Sequence, residues 1–488
     1  MIPFLTMLVF SVLFDSAARP RAGALRDWRG VALHGLVMTS VFGLILAATG
    51  NAVIAALVGA ALAGLFMVAS NAKRQMLGEP LVFSDLALLG GVVRHPRFYF
   101  SALSPTQRWM LAIGAGAAVI AMVLLSSLAV QPHLAGAALV LGSGLALAGV
   151  LRSRALDRLA QIPDLEGDFR RLGMVATLLL YWWRWRESPD PQPCEGERRR
   201  DGAAMPELVV IVQCESFCDP LDITHDPRDS LPGLDAARAA AWQWGTLDVS
   251  GFGAYTMRTE YGVLFGRSEE ALGFRRYDPF LTASGEASYA LSARLRGAGY
   301  RSVFVHPHDL RFYSRDRLMP QVGFAAMIGE EGIAARDEGA GRYVDDRTLG
   351  SSVIAMLEAA TGPTMIYTVT MENHGPWDSD TARDAAGRRD AYLRHARSSD
   401  AMLRDLTAYL AQAGRSGLLA FFGDHRPSIP GVTAPGGARH TPYVMLRFRE
   451  DGSFVSGGGD PVDLTPAELH HRILHCVATP QAVSPRAG

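Results

Sequence analysis

The chain has 488 residues, of which 49% are hydrophobic and 19% charged, and its formal net charge at pH 7 is −1. This length allows two or three domains, and the balanced charge gives no electrostatic footprint for nucleic acid, so no nucleic-acid partner is predicted. The four cysteines form no CxxC pair. They indicate neither a thiolate metal site nor a required disulfide.

Apolar residues dominate the first third of the chain. A helix needs ~20 apolar residues to span a bilayer, and four segments come close to this length: 31–50, 52–70, 109–130 and 134–151. The shorter segment 2–14 adds a fifth predicted membrane helix. Segment 172–185 ends in tryptophans and arginines, a composition typical of an interfacial anchor.

Four regions follow from this division. We predict a transmembrane domain over 1–155, an interfacial helix and linker over 156–205, a catalytic domain over 206–480 and a tail over 481–488. Arginines follow the first and the fifth apolar segments, and with five spans the positive-inside rule places the large domain in the cytoplasm. A sixth span would reverse that orientation, so charge alone leaves it open.

Strand-like and helix-like segments alternate in the second half of the chain. Strands are predicted at 207–213, 301–305, 364–370, 418–422 and 443–448, and helices at 287–297, 348–360 and 388–413. This alternation is typical of an α/β domain with a mainly parallel central sheet flanked by helices. Together with the apolar first third, the predicted fold class is an α-helical transmembrane domain followed by this α/β domain.

Two of these strands end in residues that can bind a metal. Glu215 follows the strand-like run that ends at Cys214, and Asp424 and His425 follow Phe421-Phe422-Gly423. Ligands collect beyond the carboxyl ends of strands in open α/β sheets, so these side chains, about two hundred positions apart, are predicted to share one cation site. Oxygen and imidazole ligands suit Mn²⁺, Zn²⁺ or Mg²⁺. A salt bridge or a helix-cap role is the alternative for Glu215 alone.

Thr256 lies after the glycines of Gly251-Phe252-Gly253, where a helix is predicted to begin. A hydroxyl in this position can be a plain N-cap. It can also be a nucleophile, because a nearby metal lowers the pKa of a hydroxyl and a helix N-terminus stabilises phosphate charge.

In order along the chain, these motifs resemble the lipoteichoic acid synthase-like phosphoglycerol transferases of the alkaline phosphatase and sulfatase superfamily. Glu215-Ser216-Phe217, Thr256 and Asp424-His425 are similar to the family's metal ligands and catalytic threonine. Asn71-Ala72-Lys73 with the two short motifs that follow it resembles a membrane segment of Gram-negative relatives.

The resemblance also implies roles for residues outside the metal cluster. His306, Tyr313 and Arg315 are similar to groups that bind the phosphoglycerol headgroup, and His374 in Asn373-His374-Gly375-Pro376 is similar to a histidine of the substrate loop. The alternatives are an ordinary strand-end histidine for His306, an aromatic packing role for Tyr313, and pairing of Arg315 with Asp316 or Asp309.

The resemblance implies a membrane-bound transferase that moves phosphoglycerol from phosphatidylglycerol to a glycan hydroxyl. Thr256 and His374 are then catalytic, and one divalent cation, with Mn²⁺ as first choice before Mg²⁺ or Zn²⁺, is held by Glu215, Thr256, Asp424 and His425. The resemblance places the catalytic domain on the periplasmic side of the inner membrane. The alternatives are a phosphoethanolamine transferase, a phosphodiesterase and a non-catalytic glycan-assembly protein. A formylglycine sulfatase is disfavoured because the chain has threonine where that class requires cysteine or serine.

Overall fold

The structure is a computed structural model that describes residues 1–23, 26–86, 105–197, 205–333, 342–377 and 384–478. It divides into two compact units, Met1–Ser188 and Pro189–Gly488. The predicted tail 481–488 lies outside the described residues.

Helices make up the first unit. They are α1 (Ile2–Ala17), α2 (Trp28–Thr49), α3 (Ala52–Leu77), α4 (Pro105–Leu124), α5 (Val130–Leu151), α6 (Leu165–Leu172) and α7 (Met174–Glu187), with a 3₁₀ turn at Arg154–Leu156. Among the described residues, α2, α3 and α5 are long and apolar enough to cross a bilayer, and α1 is a shorter apolar helix. The total of five membrane helices stays a prediction.

The turn between α2 and α3 shows how local sequence sets these boundaries. Gly50 ends α2 in the left-handed region at φ 62°, a conformation that glycine adopts without steric penalty. Asn51 then caps α3, because its side chain accepts hydrogen bonds from the backbone N–H groups of Val53 and Ile54.

One predicted boundary in this unit is wrong. The sequence predicts a break between 130 and 134, whereas α4 ends at Leu124 and α5 begins at Val130. Pro132 therefore lies in the first turn of α5. Backbone N–H groups in a first turn have no partner within the helix, so a proline is tolerated there.

The second unit contains one seven-stranded sheet. Its strands are β1 (Leu208–Cys214), β2 (Gln243–Leu247), β3 (Arg301–Val305), β4 (Ala326–Ile328), β5 (Thr364–Val369), β6 (Gly417–Gly423) and β7 (Thr441–Phe448). The spatial order is β2-β7-β6-β1-β5-β3-β4. β7 pairs antiparallel with both of its neighbours, and the other pairings are parallel. The predicted fold class, with a mainly parallel sheet, is confirmed.

Helices flank this sheet. They are α8 (Leu221–Thr224), α9 (Pro232–Ala240), α10 (Thr256–Phe265), α11 (Glu269–Leu272), α12 (Leu291–Arg296), α13 (Arg315–Gln321), α14 (Asp346–Glu358), α15 (Ala385–Gln412) and α16 (Pro466–Ala478). Short 3₁₀ segments occur at Pro227–Asp229, Gly273–Tyr277, Pro279–Tyr289, Phe312–Ser314 and Glu330–Gly332.

The central strand β1 is buried on both of its faces. Val209 and Ile211 pack into one hydrophobic core, and Leu208, Val210 and Val212 pack into the other. This is why the strand reads as a continuous apolar run rather than as an alternating pattern. Burial on both faces fixes the strand firmly, and with it the residue that follows its carboxyl end.

Two strands and one helix differ from the sequence prediction. The edge strands β2 and β4 were not predicted, since each is short and only partly buried. The predicted helix 287–297 is divided, because a 3₁₀ segment ends at Tyr289 and extended backbone at Ala290 separates it from α12.

Candidate metal centre and active site

Glu215 and Asp424 are brought together by the register of two neighbouring strands. β1 and β6 are parallel, and Cys214 lies opposite Gly423 in the last paired position. The next residue of each strand is therefore Glu215 and Asp424, at the same edge of the sheet. The backbone N–H of Asp424 donates to the carbonyl of Cys214 at 3.1 Å, which extends the pairing to the site itself.

A tight turn after β1 fixes the two carboxylates. Ser216 adopts a left-handed conformation at φ 48°. Its N–H donates to Asp424 Oδ1 at 2.7 Å and its hydroxyl donates to Glu215 Oε1 at 2.8 Å. A non-glycine residue in this conformation is uncommon and is held by its surroundings. Here one residue orients both acidic side chains.

His425 presents one ring nitrogen to these carboxylates. Its Nδ1 lies 3.1 Å from the carbonyl of Arg426. Because a carbonyl only accepts, Nδ1 carries the hydrogen and Nε2 is left as the ligating atom. Nε2 lies 3.5 Å from Glu215 Oε1 and 3.7 Å from Asp424 Oδ2. One ligand atom from each of the three residues lies within 4.8 Å of the others.

Thr256 is the first residue of α10, and its hydroxyl faces the same cluster. Oγ1 donates to Glu215 Oε2 at 3.3 Å and lies 3.4 Å from His425 Nε2. The plain N-cap alternative for Thr256 is wrong, since Tyr255 occupies the cap position and Thr256 lies inside the helix. Tyr255 makes the turn in a left-handed conformation at φ 78°. Thr256 itself is only partly buried.

The cluster fits a hard divalent cation. Glu215, Asp424 and His425 are each at least 95% buried, and Asp424 Oδ2 has no hydrogen-bond partner among the described residues. A buried, unpaired carboxylate oxygen is costly unless a cation compensates it. Two carboxylates and one imidazole are donors that suit Mn²⁺, Mg²⁺ or Zn²⁺.

The electrostatics of the three residues agree with that fit. Burial, followed by the charge of Glu215, raises the pKa of Asp424 to about 7. Burial also opposes ionisation of Glu215, but the nearby His425 and His374 outweigh it and lower the pKa of that carboxyl. For His425, burial is outweighed by Asp424 and Glu215, which raise its pKa. Without added positive charge, the site thus holds protons near neutral pH.

Arg315 and His306 form a buried hydrogen-bond network with Glu260, a residue that the sequence analysis did not single out. Arg315 Nε donates to Glu260 Oε1 at 3.1 Å, its Nη2 donates to Glu260 Oε2, and its Nη1 donates to His306 Nε2 at 3.2 Å. Arg315 and Glu260 are almost fully buried. Pairing of Arg315 with Asp316 or Asp309 is therefore wrong, since its carboxylate partner is Glu260 on α10.

These hydrogen bonds fix the protonation state of His306. Arginine only donates, so His306 Nε2 accepts and Nδ1 donates to the carbonyl of Val369, 3.1 Å away. Burial, followed by the neighbouring Arg315, holds the pKa of His306 well below its usual range. Of the five N–H donors of a guanidinium, these contacts use three. The other two N–H groups of Arg315 take no part in these contacts.

His374 and Tyr313 lie on two further loops at this edge of the sheet. His374 Nδ1 is 2.7 Å from the carbonyl of Gly375 and 3.4 Å from the hydroxyl of Tyr343. Tyr313 has a left-handed backbone at φ 55°, and the Arg315 guanidinium lies 5.1 Å from the centre of its ring. The charge of Glu215 contributes to the raised pKa of Tyr313, although burial is the larger cause. The substrate-binding roles of His306, Tyr313 and Arg315 stay predictions.

The sequence analysis did not identify the residues that position the site by hydrogen bonds to its proposed metal ligands and to Arg315. Besides Ser216 and Glu260, Thr370 accepts from the N–H of Glu215 at 3.1 Å, and Thr259 donates to the carbonyl of Asp424 at 2.7 Å. Glu260 had a usable signal, because it lies four residues after Thr256 and therefore on the same side of α10. A serine or threonine hydroxyl gives no comparable signal in a sequence.

The family of the chain follows from a comparison with known sequences. The sequence profile of the sulfatase family matches residues 207–471, more than half of the 488 residues. The chain therefore belongs to the sulfatase family. The superfamily recognised from the motifs is thus confirmed. The matched region includes the whole sheet and every residue of the candidate site.

Two relatives come from Rhizobium meliloti (strain 1021). The chain is 27% identical over 439 residues to the capsular polysaccharide biosynthesis protein RkpI, covering 84% of this chain and 81% of that protein. It is 24% identical over 238 residues to a putative cyclic beta-1,2-glucan modification protein, covering 45% of this chain and 36% of the relative.

A solved structure shows the same overall fold. The integral membrane protein lipooligosaccharide phosphoethanolamine transferase A (EptA) from Neisseria meningitidis matches with a TM-score of 0.55 and 13% identity, covering 98% of this chain and 95% of that chain. At this identity the likeness establishes the fold alone.

Proposed function

We propose that this protein is a membrane-bound transferase that moves phosphoglycerol from phosphatidylglycerol to a hydroxyl of an envelope glycan through a covalent threonine intermediate. The observation that carries this proposal is the position of the Thr256 hydroxyl, 3.3 Å from Glu215 and 3.4 Å from His425 at a buried candidate metal cluster. The names of the two relatives concern polysaccharide synthesis and glucan modification, which supports a glycan as acceptor.

Glu215, Asp424, His425 and the Thr256 hydroxyl are the groups that would hold the cation, with Mn²⁺ as first choice. A divalent cation bound there would lower the pKa of the hydroxyl and offset the negative charge of the phosphate. The N-terminal end of α10 adds oriented backbone N–H groups on the same side, which favour a phosphate oxygen.

The first step forms one bond and breaks one. Thr256 Oγ1 attacks the phosphorus of phosphatidylglycerol, its proton passes to the Glu215 carboxylate, and the bond from phosphorus to the diacylglycerol oxygen breaks. His374 donates a proton to that leaving oxygen. Its Nδ1 lies 2.7 Å from the Gly375 carbonyl, so we assign the transferred proton to Nε2.

The second step reverses these roles. A hydroxyl of the acceptor attacks the phosphothreonine, His374 takes its proton, and the Thr256 oxygen regains a proton from Glu215. The two remaining donors of Arg315 hold a non-bridging phosphate oxygen. Tyr313 and His306 border the glycerol end of the headgroup.

The donor lipid stays in the bilayer, so a membrane anchor on the same chain keeps the site close to its substrate. We place the chain in the inner membrane as a multi-pass protein, with the catalytic unit on the periplasmic side where envelope glycans are modified. Digestion of that unit by protease in intact spheroplasts reports its location directly.

Mass spectrometry tests the nucleophile. After incubation of the detergent-solubilised chain with Mn²⁺ and phosphatidylglycerol, we expect a phosphoglycerol adduct on Thr256 and no adduct in Thr256→Ala. Thr407→Ala is a matched control, since the Thr407 hydroxyl donates to the carbonyl of Leu403 in its own helix. Undiminished adduct formation in Thr256→Ala contradicts the assignment.

The headgroup is tested by a parallel incubation with phosphatidylethanolamine. An adduct of phosphoethanolamine instead of phosphoglycerol identifies the rival transferase with the same nucleophile. Headgroup release with no transfer to any glycan identifies a phosphodiesterase. Absence of both adduct and release supports the non-catalytic alternative.

A further inference from the structure

A cavity of about 310 Å³ lies beside α10, outside the metal cluster. Arg258, Thr259 and Gly262 of α10 line it, and these positions share one side of the helix because they are one turn apart. Thr256 and Glu260 lie on a different side, toward the metal cluster and Arg315. The volume is at the lower end of the ~300–1,000 Å³ typical of small-ligand sites.

The charges that line the cavity cancel. Three arginines face three acids: Arg258, Arg267 and Arg276 with Asp248, Glu269 and Glu270. Serine and threonine residues add hydroxyls, and leucine and proline residues add apolar surface. A wall with positive and negative charges in equal number selects neither a strong anion nor a cation.

Two of the carboxylates are available to a ligand. Glu269 pairs with Arg276 at 3.4 Å, and Arg267 donates to Glu286 at 3.0 Å. The carboxylates of Asp248 and Glu270 make no hydrogen bond or ion pair with any described residue. They are exposed acceptors at the wall of the cavity, and hydroxyl-rich molecules are natural donors to such groups.

The cavity is linked to the turn that carries the nucleophile. The guanidinium of Arg258 lies 3.9 Å from the centre of the Tyr255 ring, and Tyr255 directly precedes Thr256. Thr259, also on the wall, donates to the carbonyl of Asp424 at 2.7 Å. The wall residues Arg258 and Thr259 therefore lie within about one helical turn of Thr256, ~5 Å along the axis of α10, and both contact residues of the candidate site.

We propose that this cavity is an acceptor subsite that binds a neutral sugar unit of the glycan, an assignment that rests on the proposed transferase function. A sugar offers hydroxyl donors to Asp248 and Glu270, hydroxyl acceptors to the arginines, and C–H faces to the apolar wall. Binding here holds one sugar of the glycan beside α10, while another sugar of the same glycan presents its hydroxyl to the phosphothreonine on the other side of the helix.

Equilibrium dialysis with purified cyclic β-1,2-glucan tests the site on the full chain in a detergent without a sugar headgroup. We expect the double variant Asp248→Ala/Glu270→Ala to bind the glucan at least about tenfold more weakly, since the loss of a single hydrogen bond to a charged group already weakens binding about tenfold. Glu450→Ala/Asp460→Ala removes the same charge from exposed positions elsewhere and keeps full binding.

The adduct on Thr256 separates this proposal from the transferase itself. The double variant should form the phosphoglycerol adduct at the wild-type rate and show a raised KM for glucan in the transfer step. If the double variant Asp248→Ala/Glu270→Ala fails to fold, Asp248→Asn/Glu270→Gln is tested in its place.

Equal glucan binding by wild type and double variant, or no binding by wild type, overturns the subsite. A wild-type chain that binds glucan in this cavity but forms no adduct overturns only the transferase.

Discussion

Asp424 is the residue on which the candidate site depends most. Its Oδ1 is occupied by the N–H groups of Ser216 and His425, at 2.7 and 2.8 Å, whereas its buried Oδ2 has no hydrogen-bond partner in the described part of the chain. One oxygen therefore positions the carboxylate and the other points at Glu215 and His425. A metal-binding carboxylate is typically oriented in this way, with one oxygen held by hydrogen bonds and the other directed at the metal position.

Metal binding at Asp424 should depend on pH. The carboxylate must lose its proton to bind a cation, and its pKa is raised to about 7, first by burial and then by Glu215. Affinity for Mn²⁺ is therefore expected to rise from pH 6 to pH 8. Cation at about 100 times its Kd should stabilise the fold by ~2.7 kcal/mol. Thermal unfolding with Mn²⁺ or with EDTA at each pH measures both effects.

Asp424→Asn should abolish the stabilisation by Mn²⁺, because the amide offers a neutral and weaker ligand. Asp451→Asn, on an exposed turn, is the control. An unchanged Mn²⁺ effect in Asp424→Asn would show that the cluster does not hold the metal.

The sequence reveals single residues of this site only where the backbone pattern exposes them. Glu215 and the Asp424-His425 pair are recognisable because each ends an apolar run, and in-register parallel strands must then bring them together. Glu260 was not recognisable as the partner of Arg315, since their pairing depends on how α10 lies against α13. The packing of one helix against another does not show as a periodic pattern at any single position of the sequence.

At the scale of elements, a buried polar network joins the end of β1 to the loop that carries His374. Asn373 Nδ2 donates to the Ser399 hydroxyl at 2.9 Å, and Ser399 donates to Asp346 Oδ2 at 2.5 Å. Asn373 Nδ2 also lies 3.6 Å from the sulfur of Cys214, directly before Glu215. The network connects α14, α15 and the His374 loop to the strand end of the metal cluster.

Asp346→Ala should loosen all of these elements. Burial, followed by the charge of Glu372, raises the pKa of Asp346 well above its usual range, which favours the protonated form of this carboxyl. We expect Asp346→Ala to destabilise the fold by ~1–3 kcal/mol, because the buried hydroxyl of Ser399 and the buried thiol of Cys214 lose their acceptor. Asp346→Asn, neutral and of similar shape, should lose much less. Chemical denaturation measures the difference.

Asp345→Ala is the control, since Asp345 caps α14 by accepting from the N–H of Thr348 and takes no part in the hydrogen bonds between Asn373, Ser399 and Asp346. Equal losses in Asp346→Ala and Asp345→Ala, with unchanged Thr256 adduct formation in both, would contradict a network that reaches the active site.

A strand was predictable where both of its faces are buried, and a helix was predictable where its periodic pattern extends over many residues. β3 was predicted with its observed bounds at Arg301–Val305, and α15 within three residues at its start. β2 was missed because Gln243, Gly245 and Thr246 lack an apolar run, and its strand conformation depends on pairing with β7 and on hydrogen bonds to Val462 and Leu464. Whether such an edge segment forms a strand depends on the strands beside it and not on its own sequence alone.

Across the whole catalytic unit, two histidines are buried in a neutral state. Besides His306, His470 on α16 is 1% exposed, and its Nδ1 lies 2.9 Å from the carbonyl of Val263 on α10. Burial is the main cause that lowers the pKa of His470 to about 3. Both residues connect elements of the core, so their protonation bears on the stability of the fold as a whole.

The unit should therefore lose stability in acid. Unfolded histidine has a pKa of about 6.5. Between that value and about 3, the unfolded chain binds a proton at His470 that the folded chain does not. Stability contributed by neutral His470 is complete above pH 6.5 and falls by up to ~1.4 kcal/mol per pH unit below it.

Urea denaturation of the full chain from pH 7.5 to 4.5, followed by hydrogen exchange of peptides from α10 and α16, measures this slope. His470→Gln should flatten it, because glutamine does not titrate and its amide can still donate to Val263. His471→Gln removes the exposed neighbouring histidine and should leave the slope unchanged. An equal slope in wild type and His470→Gln would place the acid sensitivity elsewhere in the unit, with His306 as the next residue to test.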